Sequence, residues 1–273
     1  MKASLATLPA RTDQPNEDFA ALTPTAAVLL DGSGLSGTKT LCRHGVAWYS
    51  KKLGSSLIGR LADDNGSDLR DILARSIDET ADAHRDTCDL DDPGTPSATV
   101  VVTRFSPRRV EYLVLADSVL VVDLASGDPL VLTDDREADV GRGYRAEMDR
   151  LENGTPAHDD ARRRYVQALR SHRNQLGGFW VAAADPKAAD QAITGSVALD
   201  DVSAVALLSD GASRLADRFR IASWPELVGI LAADGPSGLL RAVRTAEQSD
   251  PRGHRWPRGK TYDDATAIYW PTR

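Results

Sequence analysis

Four aspartates stand at the ends of the apolar runs that the sequence predicts to be strands: Asp31, Asp117, Asp210 and Asp263. Side chains at the ends of stiff, buried strands are held in place and can converge at one edge of a sheet. Several carboxylates in a partly buried place cannot all stay ionised unless a cation compensates them. Carboxylate oxygens are the ligands of hard ions such as Mg²⁺ and Mn²⁺. Each aspartate alone is typical of a turn, so the prediction of a cation site depends on their number and order.

The cysteines and histidines predict no metal site. Cys42 and Cys88 are the two cysteines, and the five histidines are isolated in sequence without the spacing of zinc ligands. We expect both thiols to be inert and His44 to be a packed or surface residue on a helix. The absence of a disulfide framework fits a reducing compartment.

Length and charge exclude several classes of protein. The chain has 273 residues and a net charge of -7, from 33 Lys+Arg and 40 Asp+Glu. This length fits one domain over residues 1–273. The basic residues are scattered among acids, which disfavours nucleic acid as a partner. No signal-peptide core or membrane-spanning run is present, so we expect a cytoplasmic protein without a membrane segment.

The pattern of apolar residues predicts strands in two blocks, with helices between and after them, which is typical of an α+β fold. A charged segment at about 134–174 is expected to form two surface helices separated at Gly154-Thr155-Pro156. The predicted strands are two within Phe19–Leu30, a meander of Ala98–Phe105, Val110–Ala116 and Val119–Leu124, then Phe179–Ala183, Val202–Leu208 and Ala265–Trp270. The other predicted helices are 41–61, 67–87, a single turn at Pro186–Asp190, and Ala212–Phe219, Pro225–Ala233 and Ser237–Gln248.

Six short motifs, in order, resemble those of the metal-dependent serine/threonine protein phosphatases of type 2C, in a divergent bacterial form. The resemblance covers nearly the whole chain. It implies an αββα sandwich of two stacked antiparallel β-sheets flanked by helices, with the segment at about 134–174 as a flap over the active site. The motifs are Asn16-Glu17-Asp18, Leu30-Asp31-Gly32-Ser33-Gly34, Ser97-Ala98-Thr99-Val100-Val101, Leu115-Ala116-Asp117-Ser118, Leu208-Ser209-Asp210-Gly211 and Asp263-Asp264-Ala265-Thr266.

The resemblance also implies a site for two ions of Mn²⁺ or Mg²⁺. Asp31 would bridge both ions, the Gly32 carbonyl would bind one, and Asp210 and Asp263 would bind the other. Glu17 and Asp18 would contact the second ion or the waters on the ions, with Asp18 counted as catalytic. Asp117 would share a third, weaker ion with Asp210. Two ions about 3.5–4 Å apart activate a water and neutralise the charge of an in-line displacement at phosphorus.

The expected activity is hydrolysis of phosphoserine and phosphothreonine in proteins, so the partner is a phosphorylated protein. Two features depart from the family pattern. Arg11, the candidate for binding the substrate phosphate, is further from the acidic motif than usual, and Val119 stands where the family usually has Arg. Two alternatives therefore stay open: a pseudophosphatase that binds a partner protein, and a phosphatase of small phosphate esters.

Overall fold

The computed structural model describes residues 2–34, 42–63, 66–92 and 94–272. Within these ranges the strands are β1 Ser4–Leu8, β2 Phe19–Leu22, β3 Ala26–Leu30, β4 Gly32–Ser33, β5 Ser97–Ala98, β6 Val100–Phe105, β7 Arg109–Leu115, β8 Val119–Leu124, β9 Leu130–Leu132, β10 Ile193–Ala198, β11 Val202–Leu208 and β12 Ala265–Pro271. The helices are α1 Val46–Ala62, α2 Leu69–Asp82, α3 Arg136–Met148, α4 Pro156–Arg170, α5 Asp210–Ser213 and α6 Trp224–Ser249, with 3₁₀ turns at Pro186–Gln191 and Leu199–Asp201.

The strands form two five-stranded antiparallel sheets. The β11 sheet has the order β1-β12-β11-β8-β9, and the β6 sheet has the order β10-β7-β6-β3-β2. A short pair, β4 with β5, lies beside the end of β3. Each sheet therefore collects strands from distant parts of the chain.

Apolar residues on both faces of each sheet build four layers. Because side chains alternate along a strand, Leu29 of β3 packs between the sheets while Val28 faces α1 and α2. Leu207 and Ile268 of the β11 sheet meet Leu29 in the central layer. The outer face of the β11 sheet is covered by α6. The two stacked antiparallel sheets flanked by helices confirm the expected αββα sandwich.

Several local predictions are confirmed. The two strands within Phe19–Leu30, the strand Val202–Leu208 and the two helices of the charged segment are all present. Thr155 caps the second of these helices, since its side chain accepts a hydrogen bond from the His158 N–H.

The meander prediction is wrong, because β8 pairs with β11 and β9 in the opposite sheet from β6 and β7. The segment Phe179–Ala183 forms isolated bridges instead of a strand. Its Val181 N–H donates to the Asn174 side chain, and Val181 packs with residues of α4. A side chain therefore takes the hydrogen bond that a neighbouring strand would supply.

Helix ends differ from the predictions where glycine or turns intervene. The helix predicted from residue 41, which lies outside the described residues, begins at Val46. In the region Ala212–Phe219 the short α5 gives way to turns. The last two predicted helices join into α6 across a kink at Gly235, whose φ is 68°. None of the helices in the described ranges combines the length and apolarity needed to cross a bilayer.

Candidate active site

One cavity of about 410 Å³ opens where the strand ends of both sheets meet. Its walls carry the acidic residues that the sequence singles out. They are Glu17, Asp31, Asp117, Asp210 and Asp263. The predicted convergence of these carboxylates is therefore present, although their strands belong to different sheets.

Short polar side chains fix the position of Asp31. Its backbone N–H donates to Thr99 Oγ1 at 3.2 Å, and its carbonyl accepts the Thr99 N–H at 2.9 Å. The Thr99 hydroxyl also lies 2.6 Å from the Ser118 hydroxyl, next to Asp117. The Asp210 N–H donates to Asp31 Oδ2 at 3.3 Å, which joins the two sheets at the carboxylate.

Backbone geometry explains two small residues beside the carboxylates. A Cβ at Gly32 would come within 2.4 Å of the Glu17 carbonyl oxygen and 2.6 Å of Val46 Cγ1, so close packing excludes any side chain there. Ala116 has a φ of 67°, in the left-handed region that L-residues rarely adopt. This turn directs Asp117 into the cavity.

Burial of the carboxylates opposes their ionisation. Desolvation, together with the charges of neighbouring aspartates, raises the pKa of Asp18 to about 8. Burial likewise raises the pKa of Asp31, helped by Asp18 and Asp210, and that of Asp117, helped by Glu137 and Asp210. A bound cation would remove this penalty.

Asp18 is the sharpest case, because its carboxylate oxygens form no close hydrogen bond with the described residues, and the Thr266 side chain, which lowers its pKa, does not offset its burial. Its side chain is 6% exposed and is absent from the cavity wall. It therefore lies outside the cavity wall.

Asp263 differs from the other carboxylates because two cations hold it. Its Oδ1 accepts from Lys260 Nζ at 2.7 Å and its Oδ2 accepts from Arg214 at 2.7 Å. Arg214 also binds the fully buried Glu247 at 2.5 Å, and Glu247 binds Arg244. Although burial opposes it, Lys260 and Arg214 lower the pKa of Asp263. Sequence analysis missed Lys260, which stands in a loop with several other basic residues.

Asp264 has a structural role next to this pair. Its two carboxylate oxygens accept the backbone N–H groups of Ala10 and Glu17, each at 2.7 Å. These bonds hold the segment that carries Glu17 and Asp18 against the end of β12.

These residues fit divalent cations in part. Asp31, Asp117, Asp210 and the unpartnered Asp18 offer hard oxygen ligands in need of positive charge. The carboxylate of Asp263 is already neutralised by Lys260 and Arg214, so an ion would have to displace the Lys260 ammonium to reach it.

Arg11, the residue predicted to bind phosphate, does not line the cavity. Its side chain is 60% exposed and pairs with Asp13, and it is absent from the cavity wall. Arg162 of α4 does line the cavity, and within the described ranges it forms no hydrogen bond or ion pair. Its neighbours Arg163 and Arg164 pair with Asp160 and Glu147 on the surface.

The charged helices contribute further groups to the cavity. Glu137 of α3 lines it and accepts a hydrogen bond from the Tyr165 hydroxyl at 3.4 Å. Arg145 of α3 lies over the Tyr165 ring, 5.2 Å from its centroid. Helices α3 and α4 thus form one wall of the cavity.

A second cluster brings together cysteines and histidines that have no metal-ligand spacing in the sequence. Cys42, His44, His84 and Cys88 offer one ligand atom each, and these atoms all lie within 4.8 Å of one another. The packing of α1 on α2 brings the two pairs together, which no local spacing in the sequence reveals.

Solved structures of bacterial phosphatases share this fold. Serine/threonine phosphatase Stp1 from Staphylococcus aureus matches at 15% identity with a TM-score of 0.61, over 99% of this chain and 94% of that chain. The catalytic domain of phosphatase PstP, in complex with two manganese ions, matches at 15% identity with a TM-score of 0.58, over 99% of this chain and 97% of that chain. The phosphatase MsPP from Mycobacterium smegmatis, in complex with cacodylate, matches at 17% identity with a TM-score of 0.55, over 99% of this chain and 98% of that chain.

Among curated proteins, no sequence matches significantly. The family model of protein phosphatase 2C matches residues 9–242, which include Glu17, Asp31, Asp117 and Asp210 but end before Asp263. This match spans well over half of the chain. The chain therefore belongs to the protein phosphatase 2C family, and its family and fold indicate a phosphatase hydrolase.

Proposed function

We propose that this protein is a Mn²⁺- or Mg²⁺-dependent phosphatase that hydrolyses phosphoserine and phosphothreonine in proteins. The observation that carries the proposal is the group of carboxylates on the cavity wall, together with the buried Asp18 outside that wall, whose oxygens form no close hydrogen bond with the described residues. A buried, unpaired carboxylate is costly unless a cation compensates it.

The proposed ligand set follows the positions of the side chains. Asp31 is the proposed central ligand, and Asp210, whose backbone N–H lies 3.3 Å from Asp31 Oδ2, and the Gly32 carbonyl are proposed beside it. Asp117 and Glu17 extend it along the cavity wall, and Asp18 supports it from behind. Asp263 would join the ligand set if the Lys260 ammonium left the Oδ1 atom of Asp263. Bound divalent ions supply Lewis-acid polarisation of the phosphate and lower the pKa of coordinated water.

Arg162 is the residue that we propose to orient the substrate phosphate. It lies on the cavity wall with its guanidinium unpaired within the described part of the chain, and it faces the acidic cluster closely enough to lower the pKa of Asp263. A guanidinium binds phosphate oxygens through two parallel hydrogen bonds. It would therefore hold the phosphate against the ions.

Substitution of Asp31 tests the proposal. Asp31→Asn should abolish Mn²⁺-dependent hydrolysis of p-nitrophenyl phosphate, because it removes the central ligand with little change in shape. Asp128→Asn, at an exposed position in the turn after β8, is the matched control and should keep full activity. Full activity of Asp31→Asn would refute the proposed mechanism.

A second candidate function is a protein-binding module without turnover. One observation favours it: both carboxylate oxygens of Asp263 are engaged by Lys260 and Arg214, as in a site that does without the second ion. In that case calorimetry would detect Mn²⁺ binding, while no phosphopeptide would be hydrolysed at millimolar Mn²⁺.

A further inference from the structure

We propose that Cys42, His44, His84 and Cys88 bind a Zn²⁺ ion in a tetrahedral site outside the acidic cavity. The four ligand atoms all lie within 4.8 Å of one another. None of the four residues lines the cavity. The inference stands independently of the proposed phosphatase function.

Three of the six separations between the ligand atoms are close to those of a tetrahedral zinc site. Cys88 Sγ lies 3.3 Å from His44 Nδ1, and Cys42 Sγ lies 3.6 Å from His84 Nδ1 and 3.9 Å from His44 Nδ1. With Zn–S bonds of about 2.3 Å and Zn–N bonds of about 2.0–2.1 Å, neighbouring ligand atoms of a tetrahedron stand about 3.3–3.8 Å apart. The protein thus holds the atoms close to the separations that the ion requires.

The chemistry of the ligand set selects zinc over the hard ions of the cavity. Two thiolates and two imidazoles form the Cys₂His₂ set of closed structural zinc sites, whereas Mg²⁺ and Mn²⁺ prefer oxygen. On binding, each thiol loses its proton to solvent and each imidazole binds in its neutral form. No oxidation or reduction accompanies this step.

The surroundings of the cluster favour a rigid, partly buried site. Cys42 is 4% exposed and His84 is 1% exposed. The Trp48 ring stacks on His44 with the ring centroids 4.3 Å apart, and its centroid lies 5.1 Å from that of His84. A thiol is a weak hydrogen-bond partner for a buried imidazole, so a metal ion would satisfy these nitrogens better.

The position in the fold gives the site a structural role. Cys42 and His44 directly precede α1, and His84 and Cys88 lie in the turns that follow α2. One ion would join the start of α1 to the end of α2. Val46, two residues after His44, packs on Gly32 beside the acidic cavity, so the site would anchor that contact.

Metal analysis of the purified protein tests the site. After gel filtration, or after addition of equimolar Zn²⁺ and removal of the excess, elemental analysis should find one zinc per chain. The double variant Cys42→Ser/Cys88→Ser should hold at least tenfold less. His172→Ala, which alters an exposed histidine outside the cluster, and Asp31→Asn, which alters the cavity, should both keep one zinc.

Two measurements on the unaltered protein cover the case in which the double variant fails to fold. Replacement of zinc by Co²⁺ should give the visible absorption of tetrahedral cobalt with thiolate charge-transfer bands. Both thiols should react with a thiol reagent at least tenfold more slowly in the zinc-loaded protein than after chelation. Failure of the unaltered protein to retain zinc, a Cys42–Cys88 disulfide in the reduced preparation, or unchanged zinc content in a folded double variant would overturn the inference.

Discussion

The Lys260 ammonium lies 2.7 Å from Asp263 Oδ1, at the edge of a cavity lined by seven further carboxylates. Although desolvation opposes it, the charges of Asp263 and Asp210 raise the pKa of Lys260, which keeps the ammonium protonated. In the proposed function, a divalent ion and this ammonium would compete for the same carboxylate. Lys260 would then set the concentration of metal at which Asp263 becomes a ligand.

Removal of the Lys260 charge should strengthen metal binding. In Lys260→Met we expect the Mn²⁺ concentration for half-maximal activity to fall by about fivefold, a modest effect because the lysine is partly exposed to solvent. Lys187→Met, at an exposed site away from the cavity, should leave it unchanged. A higher Mn²⁺ requirement in Lys260→Met would show that the ammonium assists the site instead of competing with the ion.

Because folded Asp18 keeps its proton up to a higher pH than unfolded Asp18, the metal-free protein should become less stable as the pH rises. The pKa of Asp18 is about 8 in the folded state, against about 3.9 in an unfolded chain. Between these values the folded state binds more protons, so the free energy of unfolding falls as the pH rises from about 4 to about 8. Mn²⁺ affinity should rise over the same window, because the ion needs the ionised carboxylate.

Urea unfolding of the chelated protein at pH 5 and pH 8 measures this effect. Asp18→Asn keeps the neutral side chain at both pH values, so its stability relative to the unaltered protein should increase from pH 5 to pH 8. A relative stability independent of pH would contradict the raised pKa.

Arg162 should act on substrate binding. In Arg162→Ala we expect the KM for a phosphopeptide to rise about tenfold with little change in kcat, since a hydrogen bond between charged groups contributes about 1.5–3 kcal/mol. Arg163→Ala, its exposed neighbour on α4, is the matched control and should retain the KM of the unaltered protein. Equal effects of the two substitutions would remove Arg162 from the proposed site.

The buried ion pairs of Arg214 with Glu247 and Asp263 should stabilise the folded protein. Arg214→Ala leaves Glu247 without one of its two cations and Asp263 with Lys260 alone, so we expect a loss of about 3–5 kcal/mol in the free energy of unfolding. Arg142→Ala, which breaks an exposed pair with Asp139, should cost less than about 0.5 kcal/mol. Urea unfolding at pH 7 compares the two variants, and similar losses would contradict the role of the buried network.

Much of the fold follows from local sequence patterns, because continuous apolar runs such as Val202–Leu208 are buried on both faces. The pairing of strands that are distant in the sequence does not follow from local patterns. The meander prediction placed Val119–Leu124 beside its sequence neighbours, yet the chain crosses to the other sheet after Ala116. Ala116 has a left-handed backbone conformation that a glycine would have signalled in the sequence, but an alanine does not. The sequence patterns did not predict strands β1, β9 and β10.

The acidic cluster was predictable from the sequence because each aspartate adjoins a strand whose end fixes it. The basic side chains at the cavity, Lys260 and Arg162, were not predictable from the sequence. Lys260 approaches Asp263 through the fold of a loop, and Arg162 differs from Arg163 and Arg164 only in the direction it faces. The cluster of Cys42 and Cys88 with two histidines likewise depends on helix packing, which leaves no spacing to recognise.

Hydrolysis of phosphoserine and phosphothreonine peptides by the unaltered protein, measured as phosphate release against Mn²⁺ concentration, tests the central claim most directly. The proposed function predicts release that is absent after chelation, rises to saturation with Mn²⁺, and disappears in Asp31→Asn. Mn²⁺ binding by calorimetry without any release of phosphate would contradict it and would favour the protein-binding module.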